Sequence, residues 1–250
     1  MIVVDLNADV GEWDSTDAGD VALMPFITSA NVACGVHAGN PEVMATTVAI
    51  AARHGVAVGA HPSLDDRVSF GRRELPVTDV EIRELLTVQV GKLVEIAAHQ
   101  LVRLRHVKPH GALYNMAARD RRVADAIAGA VAEIDRSLVL VGLAGSELIA
   151  AGQNAGLMTA SEAFADRGYL ADGSLAPRST PDAVLTDPKM VAARAVALVR
   201  DRQVIAIDGT RVPVAVETIC IHSDTPGAAM LASGVRTALQ DAGVEVSARR

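Results

Sequence analysis

The segment HVKPHGALYN, residues 106–115, concentrates chemically active side chains in one short stretch with apolar flanks. Side chains alternate between two faces along a strand, so His106, Lys108 and His110 are predicted to share one surface. Pro109 cannot donate a ladder hydrogen bond, and strand pairing is therefore predicted to end near it. A buried lysine is costly unless it is paired, which favours a functional site over a strand whose histidines only bind backbone groups.

Ionisable and amide side chains also follow the other predicted strands. In the first strand, Asp5, Asn7 and Asp9 recur with period two and should face one way. Ligand sites of parallel α/β folds lie at the carboxyl ends of the strands, so residues at those ends are expected to meet. The set predicted to gather there is Asp5, Asn7, Asp9, Glu12, Asn31, His37, His61, Lys108, His110, Glu162, Asp166, Arg167, His222 and Asp224.

About seven strand-then-helix units alternate along the chain, and this order predicts a parallel sheet with right-handed crossovers. The predicted strands lie at about 2–6, 27–35, 56–61, 106–109, 137–145, 158–169 and 203–222. An open sheet would collect polar strand ends only near its switch point, whereas a closed barrel gathers all of them around one mouth. We therefore predict a single β/α-barrel domain over residues 1–250.

Local signals place the helices between these strands. The predicted helices span about 41–54, 79–104, 120–135, 146–156, 188–202 and 226–242. Thr78 with Glu81 three residues later is the arrangement of a capping box at a helix start. Asp208 and Gly209 predict a hairpin or tight turn within the last strand region.

Composition excludes several classes of function. Half of the residues are hydrophobic and 2% are aromatic, and the net charge is −7 with no basic stripe. Nucleic acid and anionic membranes are therefore not expected as partners. The sequence has no signal-peptide pattern and no apolar run of about 18 residues, and its two cysteines form no paired motif. Together these features predict a cytoplasmic protein without disulfides.

Standard metal and nucleotide motifs do not occur in the sequence. There is no H-E-x-x-H or C-x-x-C pair, although Asp9, His61 and a third ligand could hold Zn²⁺ or Mn²⁺. Neither G-x-x-x-x-G-K-[ST] nor G-x-G-x-x-G is present. If phosphate is bound, the expected donors are helix N-termini and the basic residues Arg72, Arg73, Lys108 and Arg167. Cys34 is expected to be a buried thiol rather than a nucleophile.

Eight ordered sequence blocks between residues 5 and 226 resemble the family of 5-oxoprolinase A subunits, also called the LamB/YcsF family. The blocks are DLNADVGE, SANVACGVHAGNP, GAHPSLDD, FGRRE, HVKPHGALYN, EAFADRGY, DGSLAPR and CIHSDTP. The resemblance implies a seven-stranded parallel β/α barrel related to the sugar deacetylase barrels. It also implies ATP-dependent opening of the 5-oxoproline lactam to L-glutamate, with release of ADP and phosphate, together with subunits B and C.

Candidate roles follow for the residues at the mouth. The expected catalytic residues are Asp9, Glu12, His61, Lys108 and His110, and the expected substrate- or nucleotide-binding residues are Asn7, Asn31, His37, Arg72, Arg73, Glu162, Arg167, His222 and Asp224. In this scheme Lys108 and a loop arginine neutralise a phosphoryl group, and Asp9 or Glu12 holds the Mg²⁺ of ATP. His61 or His110 would then move the proton of the attacking water or of the departing nitrogen.

Two other functions fit the same sequence. One is a metal-dependent deacetylase or amide hydrolase on the same barrel that needs no ATP. The other is a non-catalytic subunit that binds the lactam and delivers it to its partners.

Overall fold

The computed structural model describes residues 2–13, 18–222 and 227–248. Within them, seven parallel strands close into a barrel, because the first strand pairs with both the second and the last. In barrel order these strands are β1 (Ile2–Val10), β2 (Ser29–Ala33), β3 (Ala57–His61), β4 (His106–Val107), β5 (Val139–Leu143), β6 (Thr159–Phe164) and β9 (Thr218–His222). The predicted seven-stranded parallel β/α barrel is therefore confirmed.

Three short strands lie outside the closed ring. β7 (Gln203–Ile205) and β8 (Arg211–Pro213) form an antiparallel hairpin, and Gly209 at its tip has φ 88°, so the predicted turn is confirmed. β10 (Val244–Val246) pairs in parallel with the first residues of β1. The sequence analysis did not predict β10, which is only three residues long and follows directly after the last helix.

Helices surround the barrel, and several begin at the predicted caps. They are α1 (Ala18–Leu23), α2 (Pro41–Arg53), α3 (Asp79–Ala98), α4 (Gly111–Arg119), α5 (Arg121–Ile134), α6 (Glu147–Asn154), α7 (Pro188–Arg200) and α8 (Ala228–Asp241). The capping box of Thr78 and Glu81 is confirmed at the start of α3. None of the described helices is both long enough and apolar enough to cross a membrane.

Two helix boundaries differ from the predictions. The helix expected to reach Leu104 ends at Ala98, because Leu101 takes a left-handed conformation with φ 59° and the chain turns there. The helix expected from residue 120 is preceded by a separate helix, α4. Asp120 ends α4 and also caps α5, since its carboxylate accepts hydrogen bonds from the backbone N–H groups of Arg122 and Val123. The short α1 was not predicted either.

The strands direct polar residues inward and apolar residues toward the helices. In β1 the even-numbered residues Val4, Leu6, Ala8 and Val10 belong to the hydrophobic core between strands and helices. The odd-numbered residues hydrogen-bond across the barrel interior instead. Asp5 lies at the amino end of this interior, where its carboxylate accepts hydrogen bonds from three hydroxyl groups, those of Thr28, Ser29 and Thr218. Its predicted position at the mouth is therefore wrong. Burial raises the pKa of Asp5 despite those three bonds.

Gly59 in β3 makes room for a histidine in the middle of the barrel. The ring of His106 crosses the interior to Asn31, with 2.7 Å between His106 Nε2 and Asn31 Oδ1. A Cβ atom on Gly59 would lie 2.1 Å from His106 Nε2, which is far inside van der Waals contact. The glycine is therefore needed for space, and the backbone there is ordinary strand.

We predict that Gly59→Ala lowers the free energy of unfolding by about 1–3 kcal/mol or more, because the new methyl group overlaps the His106 ring. In a His106→Ala background this overlap with the ring is absent, so the same change should cost much less. Gly91→Ala, on the exposed surface of α3, should instead stabilise by about 0.5–1 kcal/mol. Urea unfolding measures all four variants, and equal effects of Gly59→Ala in both backgrounds would contradict the steric explanation.

Candidate active site

Four side chains with oxygen or nitrogen ligand atoms meet at the carboxyl end of the barrel. One such atom from each of Asp9, Glu12, His61 and His110 lies within 4.8 Å of the others, and all four residues are buried. His61 Nε2 is 3.3 Å from Asp9 Oδ2 and 3.0 Å from His110 Nδ1. Glu12 Oε1 is 3.3 Å from His110 Nδ1. Asp9 in β1 and His110 after β4 were both predicted to point into the barrel, and the structure places both in this cluster.

Backbone turns bring Glu12 and His110 to the cluster. Gly11 follows β1 with φ 70°, and its N–H donates to the Asp20 carboxylate of α1, which fixes the turn before Glu12. His110 continues the extended path of β4, because its N–H donates to the carbonyl oxygen of Pro62. Gly111 then starts α4 with φ 54°.

Carbonyl groups orient the two histidines of the cluster from behind. His61 Nδ1 lies 2.7 Å from the carbonyl oxygen of Lys108, and His110 Nε2 lies 2.9 Å from that of Phe70. His37 stacks on His110 with ring centroids 3.8 Å apart and points Nε2 at Glu12 Oε1 over 3.2 Å. Each ring is therefore fixed by a contact on its outer side as well as by the cluster.

Lys108 lies one layer deeper, between two carboxylates. Its Nζ is 2.9 Å from Asp9 Oδ1 and 2.9 Å from Glu162 Oε1. Cys220 Sγ lies 3.2 Å from the same nitrogen. Burial alone would lower the pKa of Lys108, but Asp9, Cys220 and Glu162 together raise it well above its ordinary value. Lys108 therefore carries its charge inside the barrel.

The histidines differ in their protonation. Burial lowers the pKa of His37 to about 2 and that of His106 to about 3. Burial also holds the pKa of His110 well below its ordinary value, and neighbouring charges contribute to all three shifts. For His61 the effect of burial is outweighed by the Asp9 carboxylate, which raises its pKa. Three neutral imidazoles therefore surround one histidine that favours a positive charge on its inner side.

A cavity of about 790 Å³ opens above the cluster. The cluster residues Asp9, Glu12, His61 and His110 line its floor together with Lys108. Arg72 and Arg167 also line it, as do Tyr114, Phe164 and Tyr169. The volume is sufficient for a small-molecule substrate.

Comparisons with known proteins agree with this architecture. The sequence matches the LamB/YcsF family over residues 4–250. This chain belongs to the LamB/YcsF family. It is 53% identical to the 5-oxoprolinase A subunit of Chloroflexus aurantiacus, with 99% of each chain covered, and 50% identical to that of Bordetella pertussis, with 98% of each covered.

Solved structures extend the comparison to the fold. The lactam utilization protein of Thermus thermophilus superimposes with a TM-score of 0.92 at 45% identity, covering 99% of this chain and 100% of that one. A polysaccharide deacetylase from Bacillus cereus superimposes with a TM-score of 0.52 at 11% identity, covering 100% of this chain and 93% of that one. The second likeness shows a shared barrel fold alone.

The other residues predicted for the site of this LamB/YcsF chain fall into three groups. Asn7, Asn31 and Glu162 are buried beneath the cluster, where Asn31 donates to both Asn7 and Asp9 and Asn7 donates to Glu162. Arg73 extends away from the cavity, with 66% of its side chain exposed and its guanidinium 3.4 Å from Asp66. His222 ends β9, and Asp224 lies outside the described residues.

Two residues near the site were missed by the sequence analysis. Cys220 contacts Lys108, although the sequence had drawn attention only to Cys34 as a thiol. Cys34 is buried as expected, and burial raises its pKa to about 12. Tyr114 on α4 lines the cavity, and burial together with the neighbouring Glu162 carboxylate raises the pKa of its hydroxyl well above the ordinary value. The signal for Tyr114 was its place in the HVKPHGALYN segment, four residues after His110 on the following helix.

We predict that Lys108→Met lowers the free energy of unfolding by about 3–5 kcal/mol, because it leaves the Asp9 and Glu162 carboxylates buried without their shared cation. Adding Glu162→Gln should recover part of this loss by removing one of the two charges. Lys92→Met on the exposed face of α3 is the matched control and should change stability by less than about 0.5 kcal/mol. Urea unfolding at neutral pH makes the measurement. A Lys108→Met variant as stable as Lys92→Met would contradict the ion-pair assignment.

Two tyrosine substitutions should have different effects on stability. Tyr114→Phe removes a buried hydroxyl that lies near the Glu162 carboxylate without a close hydrogen bond among the described residues, and it should change the free energy of unfolding less than Tyr169→Phe does. Tyr169→Phe removes the acceptor of the Phe164 backbone N–H, a 2.7 Å hydrogen bond, and should cost about 1–3 kcal/mol. Thermal and urea unfolding of both variants test the difference, and an equal loss in the two would show that the Tyr114 hydroxyl has a structural partner.

Proposed function

We propose that this chain is the A subunit of an ATP-dependent 5-oxoprolinase, which opens the lactam of 5-oxo-L-proline to L-glutamate while ATP is hydrolysed to ADP and phosphate. Its relatives named as 5-oxoprolinase A subunits and the solved lactam utilization protein support a hydrolase that acts on a lactam. The observation that carries the proposal is the buried group of two carboxylates and two imidazoles on the floor of the cavity.

The chemistry of ring opening suits these side chains. A lactam is an unactivated amide, so the attacking water must lose a proton and the departing nitrogen must gain one. His61 and His110 each lie within 3.3 Å of a carboxylate and 3.0 Å of each other. We assign to this pair the transfer of the proton from the water to the ring nitrogen, with Asp9 and Glu12 stabilising the charged imidazole.

Anionic groups of the substrates would meet the arginines of the cavity. 5-Oxoproline carries a carboxylate, and a phosphorylated lactam would carry further negative charge. Arg72 and Arg167 line the cavity, and a guanidinium donates charge-assisted hydrogen bonds to carboxylate or phosphate. Arg167 also donates from Nε and Nη2 to the carbonyl oxygens of Ala183 and Ala176, so its bond to an anion would come from Nη1. Lys108 was expected to neutralise a phosphoryl group, but its Nζ already contacts Asp9, Glu162 and Cys220. We therefore assign to Lys108 the positioning of Asp9.

The nucleotide requires groups beyond those of this chain. The sequence contains neither of the standard phosphate-binding loops, and an ATP-coupled reaction must hold the nucleotide firmly. Relatives named as A subunits imply a larger assembly. We propose that subunits B and C complete the site for ATP and its Mg²⁺, since the histidine-containing cluster suits Mg²⁺ poorly compared with a site made of oxygen ligands.

We predict that the isolated chain converts 5-oxoproline and ATP to glutamate at least ~100-fold more slowly than a mixture with subunits B and C, because a misplacement of reactants by ~1 Å can cost that much. Glutamate and phosphate formation measure the rate. Equal rates for the chain and the mixture would contradict the dependence on partners. If the chain alone hydrolyses amides without ATP, a metal-dependent hydrolase is favoured. If the chain binds the lactam but the mixture shows no turnover, a role in lactam delivery is favoured.

Adjacent arginines supply the matched control for this assay. Arg72→Gln removes a cation from the cavity and should lower kcat/KM of the mixture by about tenfold or more, the loss expected for a charge-assisted hydrogen bond. Arg73→Gln alters the next residue, whose guanidinium faces Asp66 and solvent, and should change kcat/KM by less than about twofold. A larger loss of kcat/KM in Arg73→Gln than in Arg72→Gln would contradict this assignment of the two side chains.

A further inference from the structure

The outer hydrogen bonds of His61 and His110 determine which ring nitrogens face the cluster as acceptors. A carbonyl oxygen can only accept, so His61 Nδ1 must donate to Lys108 O and His110 Nε2 must donate to Phe70 O. A neutral imidazole has one N–H group. When both rings are neutral, the inner nitrogens, His61 Nε2 and His110 Nδ1, therefore present lone pairs to the centre of the cluster.

These lone pairs meet two carboxylates. The inner nitrogens are 3.0 Å apart, Asp9 Oδ2 is 3.3 Å from His61 Nε2, and Glu12 Oε1 is 3.3 Å from His110 Nδ1 and 3.9 Å from His61 Nε2. Four acceptors thus surround one point inside a buried pocket. Acceptors repel one another at such distances unless a positive charge lies between them, either the proton of a charged His61 or a metal cation.

We propose that Asp9, Glu12, His61 and His110 bind one divalent transition-metal ion, with Zn²⁺ as the best match. Zn²⁺ forms bonds of about 2.0–2.1 Å to histidine nitrogen and carboxylate oxygen in tetrahedral geometry, which places neighbouring ligand atoms about 3.3–3.4 Å apart. Four of the six separations in the cluster, at 3.0–3.9 Å, surround this value, and all six are within 4.8 Å. Two imidazoles also select Zn²⁺ and similar ions over Ca²⁺ and Mg²⁺, which prefer oxygen.

Each of the four ligands is held by a second group, as metal ligands usually are. Asp9 Oδ1 accepts from Lys108 over 2.9 Å and from Asn31 over 2.8 Å, while Asp9 Oδ2 lies 3.3 Å from His61 Nε2. His37 contacts Glu12 Oε1 over 3.2 Å, and the two backbone carbonyls fix the tautomers of His61 and His110. This outer arrangement orients all four ligand atoms before an ion binds.

The metal site goes beyond the proposed ring-opening function and does not depend on it. If its coordination expanded to a fifth position beside the four protein ligands, a bound Zn²⁺ would polarise a carbonyl oxygen or lower the pKa of a bound water. Its use on a lactam carbonyl rests on the proposed function. The four residues are the same ones to which proton transfer was assigned, and because each histidine has one inner nitrogen, that nitrogen either binds the ion or transfers the proton. Binding of the ion and turnover of the lactam can nevertheless be measured separately.

The test uses the full chain, stripped with a chelator and then equilibrated with Zn²⁺ or Co²⁺. Elemental analysis after gel filtration should give one Zn²⁺ per chain. Co²⁺ should give visible absorption and quench the fluorescence of Trp13, the sole tryptophan and the residue next to Glu12. Glu12→Gln and His110→Gln should each weaken Zn²⁺ binding at least tenfold. His54→Gln, at the exposed end of α2, is the control for loss of a histidine and should bind as wild type does.

Several outcomes would overturn the proposal. In the first, the wild-type protein retains no Zn²⁺ at micromolar concentration. In the second, Glu12→Gln and His110→Gln retain as much Zn²⁺ per chain as the wild type does. In the third, His54→Gln loses Zn²⁺ binding. If the cluster variants unfold, the thermal midpoint of the wild type decides, because a specifically bound ion must raise it and the chelator must reverse the rise. The assay contains neither lactam nor ATP, so failure to bind Zn²⁺ leaves the proposed function to the turnover measurement.

Discussion

The buried positive charge of Lys108 is the constraint on which the site depends. Asp9 extends from β1 and Glu162 from β6, and the ammonium group of Lys108 contacts both carboxylates. Two carboxylates in a buried interior would repel each other and lose their hydration, and the shared cation offsets both costs. By holding one oxygen of Asp9, Lys108 directs the other oxygen toward His61. The geometry of the cavity floor is thus determined one layer below it.

The barrel interior below that layer is polar, whereas the interiors of such barrels are usually filled by branched apolar residues. Asn7, Asn31 and Thr218 link Asp5 at the amino end to Asp9 at the carboxyl end through a continuous set of hydrogen bonds. The apolar cluster of the interior is small, consisting of Val139, Val141 and Ala160. A slip of one residue in β1 would turn its polar set onto the helices, so the network specifies the register.

The sequence allowed much of the site to be predicted, and its failures have physical causes. Period-two alternation was sufficient for the inward direction of Asp9, Lys108 and His110, and the count of strand and helix units was sufficient for the closed barrel. Alternation determines the face of a side chain but not its depth, which depends on the tilt of the strands, and Asp5 was misplaced for that reason. Arg73 points away because Phe70 and Gly71 take left-handed conformations, and these loop angles depend on distant contacts.

Strand order also divides the cavity into two chemically different walls. Asp9, Glu12, His37, His61 and His110 lie on or directly after β1 to β4, which are consecutive in the barrel, and they form one continuous reactive side. The opposite side comes from β5, β6 and the segment after β6, which contribute Phe164, Arg167 and Tyr169. A ligand in this cavity therefore meets the proton-transfer groups on one side only, whereas aromatic and guanidinium groups occur on the other side and also at Arg72 and Tyr114. Because sequential strands are neighbours in a parallel barrel, this asymmetry follows from the order in which the polar strand ends occur along the chain.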